Sequence, residues 1–369
     1  MKHRVLLGIP YNPLDEVGGL ELSTLRHAQF LKNNGHEVAI LTKGKSGNFE
    51  GVEIMGFGDF PGLCKYLVSN TENFDVVHWL EIFPDSSEVD LQGMVSGILR
   101  SLGKVVVFMV ATSGNLLNRG SGVLTTPLLQ RSADAFVVSN PDQLKEFSFC
   151  GIKKNVHVIG FGVDTKNVFT IPIRKEKRLL REELGLPSSK ILFLFMGRFV
   201  ERKRPDFLLR AWQDLEDIYP LASLVVVGSG MEQDDSIEST VLELASAAEN
   251  VMFHSVTDRP ESYYKACDVF LLPSIREGQP NVLMESMACG NLVIGSDIPG
   301  IKELLLNNRT GLSFSAEDFS GFKELIRSTA NNPITIGDLG MSARRLIAEE
   351  RDIEVVSGEY VRLYTSLRS

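Results

Sequence analysis

The sequence predicts an α/β protein built on two sheets of mainly parallel strands, and three observations carry that prediction. Short apolar runs alternate with longer stretches of helical period along the whole chain, as strands feeding crossover helices do. The runs are almost continuously apolar instead of alternating, which fits strands covered by helices on both faces. At 369 residues the chain also exceeds the usual single-core size, so two domains are expected.

The first half offers the runs RVLLGIP, HEVAILT, VEIM, DVVHWL, KVVVFMVA, AFVVSN and VHVIG as strands. The second half repeats the rhythm with ILFLFMG, ASLVVVGSG, NVMFH, VFLLPS, NLVIGSD and GLSFS. Between them apolar character lapses and charge rises, which places a boundary near residues 164 to 172. The segment EKRLLREELG then opens the second domain as a helix stopped by Gly185. At the end of the chain, Val355, Val356, Tyr360, Val361, Leu363, Tyr364 and Leu367 recur at helical spacing and predict an amphipathic closing helix. The domains are expected at 1–168 and 169–350, followed by the closing helix at 351–369.

Composition removes several function classes. A net charge of -9 argues against nucleic acid, because its binders cluster Lys and Arg against phosphates. Cys64, Cys150, Cys267 and Cys289 form no C-x-x-C pair, so neither a zinc site nor a disulfide framework is expected, and reduced cytoplasmic thiols fit best. No apolar stretch reaches about 18 residues, the length a membrane-spanning helix needs. No D-x-D triplet occurs, so nothing here requires a metal bridging a diphosphate.

Four segments carry candidate chemistry. Gly18 and Gly19 follow the first strand and its loop and enter a helix, where bare backbone and a helix start suit an anion; a glycine-rich turn is the simpler reading on sequence alone. In GRFVERKRPDFLLRAW, Gly197 ends a buried strand and Arg198, Arg202, Lys203 and Arg204 precede a helix begun near Pro205. That loop is either an ordinary solvated one or a diphosphate site, and its place beyond a strand's carboxyl end favours the second. Gly228 and Gly230 end another strand, as a plain turn or a close approach to a nucleotide. Finally, DVFLLPS is a buried strand, and Glu277, Gly278 and Gln279 lie in the loop after it. Pro280 is expected as the first residue of the helix NVLMESMACG, which Gly290 stops. Glu277 in the loop and Glu285 in the helix can then meet one ligand at different depths, carboxylates accepting from hydroxyls while amides and cations hold phosphates.

With these residues in place the chain resembles the GT-B glycosyltransferases, specifically glycosyltransferase family 4, over nearly its full length. The E-x7-E element EGQPNVLMESMACG followed by VIGSDIPGIKELL is the most specific part of the likeness, and GGLELSTLRHAQFLKNNGHEVAILT, GFGVDTKNVF, GRFVERKRPDFLLRAW and VVVGSG match in order. The resemblance implies two Rossmann-like domains facing a cleft, the donor held mainly by the second, the acceptor by the first, and the closing helix crossing back to the first. It implies Arg198 and Lys203 on the donor diphosphate, Glu277 on donor-sugar hydroxyls, and Gly278 and Gln279 giving amides. Pro280, Asn281 and Val282, at the start of the following helix, would also bind the donor, with Glu285 on the ribose. Gly18 and Gly19 would approach the diphosphate, Gly197 and Gly228 would line the donor site, and Phe253, His254, Ser255 and Val256 would lie near the nucleobase. Retention of anomeric configuration and independence from metal or cofactor go with it, with a UDP-, GDP- or ADP-sugar as donor and a glycan, lipid-linked or small-molecule hydroxyl as acceptor. The expected location is cytoplasmic, with peripheral contact at the inner face of the membrane left open.

The chain departs from the family where relatives carry an acceptor-side histidine after the fifth strand: FMVATSGNLLNRG puts Thr112, Ser113, Gly114 and Asn115 there. His78 after DVV is a candidate for the acceptor side. VIGFGVD also replaces a more usual proline and asparagine near the hinge. Three rivals share parts of the pattern: a dinucleotide-dependent oxidoreductase, which would need the absent G-x-G-x-x-G after the first strand, a nucleotide-sugar-binding regulatory protein without transfer, and an epimerase-like relative.

Overall fold

A computed structural model describes residues 2–15, 18–81, 86–110, 127–149, 151–152, 155–230, 235–306 and 308–369. The chain forms two units, Met1–Gly162 with Ile353–Ser369, and Val163–Asp352. The sequence placed these borders at 168 and 350, and hydrogen bonds between residues far apart in sequence explain the difference. The Val163 amide donates to the Arg351 carbonyl at 2.9 Å, Val163 bridges Asp352 in parallel, and the Thr165 hydroxyl bonds the Asp352 carboxylate. Residues 163–168 are therefore tied to the last residues of the second unit.

In the first unit the strands are β1 (Arg4–Gly8), β2 (Glu37–Lys43), β3 (Gly47–Phe49), β4 (Val52–Phe57), β5 (Val76–Trp79), β6 (Val105–Val110), β7 (Ala135–Val138) and β8 (Val156–Val158). Among the described residues they form an eight-stranded sheet in the order β3-β4-β2-β1-β5-β6-β7-β8. All seven apolar runs of this half became strands, and they pair in parallel. The eighth, β3, is an antiparallel edge strand reading GNF, too short and polar to show as a run. Trp79, Phe108, Phe136 and Phe147 are buried in one cluster of the core. The closing helix Ile353–Arg368 belongs to this unit and buries Val356, Tyr360, Leu363 and Tyr364.

In the second unit the strands are β9 (Ile191–Met196), β10 (Ala222–Val227), β11 (Val251–His254), β12 (Val269–Leu272), β13 (Leu292–Ser296) and β14 (Leu312–Phe314), all from expected runs. Among the described residues they make a parallel six-stranded sheet in the order β11-β10-β9-β12-β13-β14. Burial of β10 and β12 throughout, and of β9 beyond its first residue, on both faces explains why these runs read as continuously apolar. The expected opening helix spans Arg174–Glu183, and Gly185 beyond it takes φ +67°, a conformation that favours glycine. Among the described residues no helix is long and apolar enough to cross a membrane.

Candidate functional site

The second unit's sheet changes direction at β9. The chain runs outward from β9 through β10 and β11 on one side, then returns to start β12, β13 and β14 on the other. Adjacent parallel strands whose connections leave in opposite directions open a crevice at their carboxyl ends, the usual ligand position in such sheets. The loops that follow β9 and β12 flank that point.

Those two loops supply the charged centre. A short turn, Glu201–Lys203, follows β9, and its Arg202 carbonyl accepts from the Ile275 amide of the loop after β12 at 2.9 Å. The Lys203 ammonium lies 2.5 Å from Glu277 Oε1, with Lys203 9% and Glu277 7% exposed. Arg202 Nη1 stands 3.5 Å from the other oxygen, Oε2. Burial pushes the Glu277 carboxyl up, but Lys203 and Arg202, helped by Ser274, outweigh it and hold the group below the usual glutamate range. Burial pulls Lys203 below the ordinary lysine range against the opposing field of Glu277, and the like charges of Arg202 and the half-buried Arg198 add to the pull. The centre thus sets two cations, Lys203 and Arg202, on one buried carboxylate, with Arg198 near enough to Lys203 to act on its charge. Sequence reasoning put Lys203 and Glu277 on one ligand; the structure joins them to each other. Arg204, the last of the basic run, is committed elsewhere: its guanidinium lies 4.0 Å over the Phe207 ring and donates to the Ala316 carbonyl.

Beyond Glu277 the loop enters the helix Asn281–Ala288. Pro280 is its N-cap (φ -75°, ψ 109°) and not its first residue, one position earlier than expected, because its ψ is still extended. A proline cap has no side-chain acceptor, so the helix's positive end carries no local carboxylate of its own. Asn281 and Val282 are half-buried in the first turn, and Glu285 lies one turn in at 3% exposure. Gln279 reaches along the helix, its Nε2 3.2 Å from Met284 Sδ. At the far end Gly290 takes φ +83°, and Arg344 donates to the Ala288 carbonyl at 2.8 Å.

Two supporting residues were not singled out from sequence. Arg344 also donates to the Thr165 and Phe169 carbonyls, so one guanidinium ties the helix end to residues that open this unit. Gly300 has φ +85°, and a Cβ there would lie 2.2 Å from the Gly278 carbonyl and 2.9 Å from that of Glu277. The loop after β13 therefore packs directly on the backbone that presents Glu277. Its signal was VIGSDIPGIKELL, where the glycine stands after a proline at a turn before a helix.

The remaining expected residues fall as follows. Gly197 and Gly228 end β9 and β10, and a Cβ on Gly228 would lie 2.0 Å from the Gly197 carbonyl, so these strand ends touch through bare backbone. Phe253 and His254 end the edge strand β11; Phe253 packs on Phe199 at 5.8 Å, His254 Nδ1 meets the Tyr263 hydroxyl at 3.1 Å, and Ser255 and Val256 are exposed. Burial lowers the His254 pKa. In the first unit, Gly18 is the N-cap of the helix Gly19–Asn33, and a Cβ on it would crowd the Glu21 carboxylate at 2.5 Å. His78 corrects the acceptor-side expectation: it is 0% exposed, and its Nδ1 meets the Tyr364 hydroxyl at 2.7 Å. Tyr360 and Tyr364 of the closing helix cover its ring, so it is enclosed in the core. Thr112, Ser113 and Asn115 lie outside the described residues.

Comparison with known proteins bears on this arrangement. Residues 176–346 match the family model described as glycosyl transferases group 1, a span that contains both loops and the site helix. A D-inositol 3-phosphate glycosyltransferase of Xylanimonas cellulosilytica is 25% identical over 364 residues, covering 85% of this chain and 84% of that protein. A protein of the same name from Arthrobacter sp. is 28% identical over 186 residues, 49% of this chain and 43% of that one. Among solved structures, Anabaena HepE in complex with UDP-glucose superposes with a TM-score of 0.82 at 15% identity, covering 99% of this chain and 100% of that one. Two parallel-sheet Rossmann-like domains are the fold of the GT-B glycosyltransferases, and this chain has it.

Proposed function

We propose that the chain is a retaining glycosyltransferase that moves a sugar from a UDP-, GDP- or ADP-sugar to a hydroxyl acceptor. The observation that carries this reading is the charged centre at the turning point of the second sheet, where Lys203 and Arg202 pair with Glu277, and Arg198 acts on Lys203, at the entrance of a helix whose cap adds no negative charge. A diphosphate suits the excess cations and helix amides, and a sugar's vicinal hydroxyls suit a buried carboxylate. Glu285, buried one turn into the same helix, is assigned to the ribose.

In this mechanism the acceptor oxygen forms its bond to the anomeric carbon on the face the leaving group departs from. The bond between that carbon and the phosphate oxygen breaks, and the departing diphosphate takes the acceptor's proton. The protein positions the donor and stabilises charge on the leaving group through Arg198, Lys203 and the amides near Gly278 and Gln279. No histidine base is required, consistent with Thr112, Ser113 and Asn115 in the place of one. The match to group 1 glycosyl transferases supports the donor class, and relatives named for an inositol phosphate support a polyhydroxyl acceptor.

Thermal-shift titration with UDP, GDP, ADP and their sugar conjugates tests the donor, because a ligand bound only by the native state raises its stability with the logarithm of concentration over affinity. Acceptor-dependent release of nucleotide then tests transfer. A stabilising donor with no such release identifies a binding protein instead, and epimerised donor without acceptor identifies an epimerase.

A further inference from the structure

Glu277 is held by two cations on two different oxygens, Lys203 at 2.5 Å on Oε1 and Arg202 at 3.5 Å on Oε2. Two cations on one carboxylate leave an excess of one positive charge, so one cation can turn to an anion while the other stays on Glu277. Resting on the donor reading above, we infer that Arg202 is the positioning residue that keeps Glu277 ionised and oriented when Lys203 turns its charge to the donor diphosphate.

The chemistry of the two side chains assigns the parts. Lysine is a compact charge on a flexible stem with three donors, so Lys203 can share its ammonium between Glu277 and an arriving phosphate. When it does, a carboxylate 7% exposed loses much of its compensation, and an uncompensated buried charge is strongly unfavourable. A planar guanidinium on the opposite oxygen supplies that compensation without moving. Arg202 is also set in place by its backbone, since its carbonyl receives the Ile275 amide whichever side chain it carries. Its side chain remains 24% exposed, against 11% for Lys203, so replacing it leaves the surrounding packing intact. Arg202 acts through Glu277, and its loss should be felt by ligands that carry a sugar more than by ligands that end in phosphate.

The test compares wild type, Arg202→Gln and Arg202→Lys by calorimetric titration with UDP, GDP and ADP and with UDP-glucose, GDP-mannose and ADP-glucose. For whichever pair binds wild type, Arg202→Gln should leave the free diphosphate within about threefold and weaken the sugar conjugate on the order of tenfold, the scale of one lost charge-assisted hydrogen bond. Arg202→Lys should restore most of the difference. The acid limb of sugar-conjugate binding should also move to higher pH in Arg202→Gln, because the field of Arg202 helps hold the carboxyl down. Equal weakening of diphosphate and conjugate, or an unshifted acid limb, overturns the inference while leaving the donor reading intact. Failure of wild type to bind any of the six overturns the donor reading, and this inference with it.

Discussion

Replacing Lys203 by methionine removes the charge while keeping most of the side chain's volume, and it leaves Glu277 buried with Arg202 at 3.5 Å and the Ser274 hydrogen bond still acting on it. Breaking a buried ion pair from one side costs about 3 to 5 kcal/mol, and the retained guanidinium puts this case at the lower end, about 3 kcal/mol. The pH dependence has a definite sign. Without Lys203 the largest opposing charge is gone, so the folded-state pKa of Glu277 rises relative to wild type while Arg202 and Ser274 still act against burial. Relative to wild type, a carboxyl with a raised folded pKa costs stability only when it is ionised, so the deficit is full above that folded pKa and fades as pH falls through it. The chain has two tryptophans, Trp79 in the first unit and Trp212 in the second, so a Trp79→Phe background lets Trp212 report the second unit alone. Trp212 is fully buried and packs on Phe193 at 5.6 Å, which makes its fluorescence sensitive to unfolding of that core. Urea titrations should show the full deficit at pH 7.5 and most of it removed in the Lys203→Met, Glu277→Gln double variant, where no buried charge is stranded. Turnover should fall about a hundredfold in the single variant and stay low in the double, since the cation facing the leaving group is absent from both. A single-variant deficit below about 0.5 kcal/mol at pH 7.5, or no recovery in the double variant, would refute the reasoning.

Other perturbations probe separate parts. Gly300→Ala puts a Cβ against the Gly278 carbonyl at a positive φ, so it should lower stability by at least the 1–2 kcal/mol or so of a left-handed non-glycine residue and weaken sugar-conjugate binding; unchanged melting temperature and affinity would show the loop after β13 to be irrelevant. Glu285→Gln should weaken nucleoside diphosphates that contain ribose relative to inorganic pyrophosphate, measured by competition; an equal effect on both would remove it from the ribose. His27, whose Nδ1 meets the Ser357 hydroxyl at 2.8 Å, is pushed down to about 3 by burial, with the charge of His36 adding to it. Its folded pKa lies below the unfolded 6.5, so its contribution is fully present above pH 6.5 and is lost as pH falls toward 3. Between pH 6.5 and 5.0 the first unit should lose about 2 kcal/mol through this group, seen by Trp79 fluorescence, and His27→Gln should flatten that slope.

Much of this architecture could be read from residue order because its causes are local. Strands covered on both faces need continuous apolar runs, and every such run became a strand; β3, a three-residue edge strand, has no such requirement and left no trace. Gly185 and Gly290 were legible as helix stops because positive φ selects glycine. The unit borders were displaced by six residues at the first and two at the second, since they depend on Val163, Arg351 and Asp352 meeting across the sequence. The same limit applies to His78, which looks like a ligand at a strand end until Tyr364, 286 positions away, closes over it. At the candidate site, residue types and order showed which groups were present. That Arg202 and Lys203 divide the two oxygens of Glu277 appeared only when the loops after β9 and β12 were brought side by side.

The central claim is that a nucleotide-sugar sits at the turning point of the second sheet with its phosphates on Lys203 and Arg198 and its hydroxyls on Glu277 and Glu285. A crystal structure with the donor that gives the largest thermal shift tests it most directly. The account predicts sugar density within hydrogen-bonding distance of Glu277, ribose at Glu285, and Lys203 Nζ moved toward a phosphate while Arg202 stays on Oε2. Donor density elsewhere, or at this site without contact to either carboxylate, would contradict it.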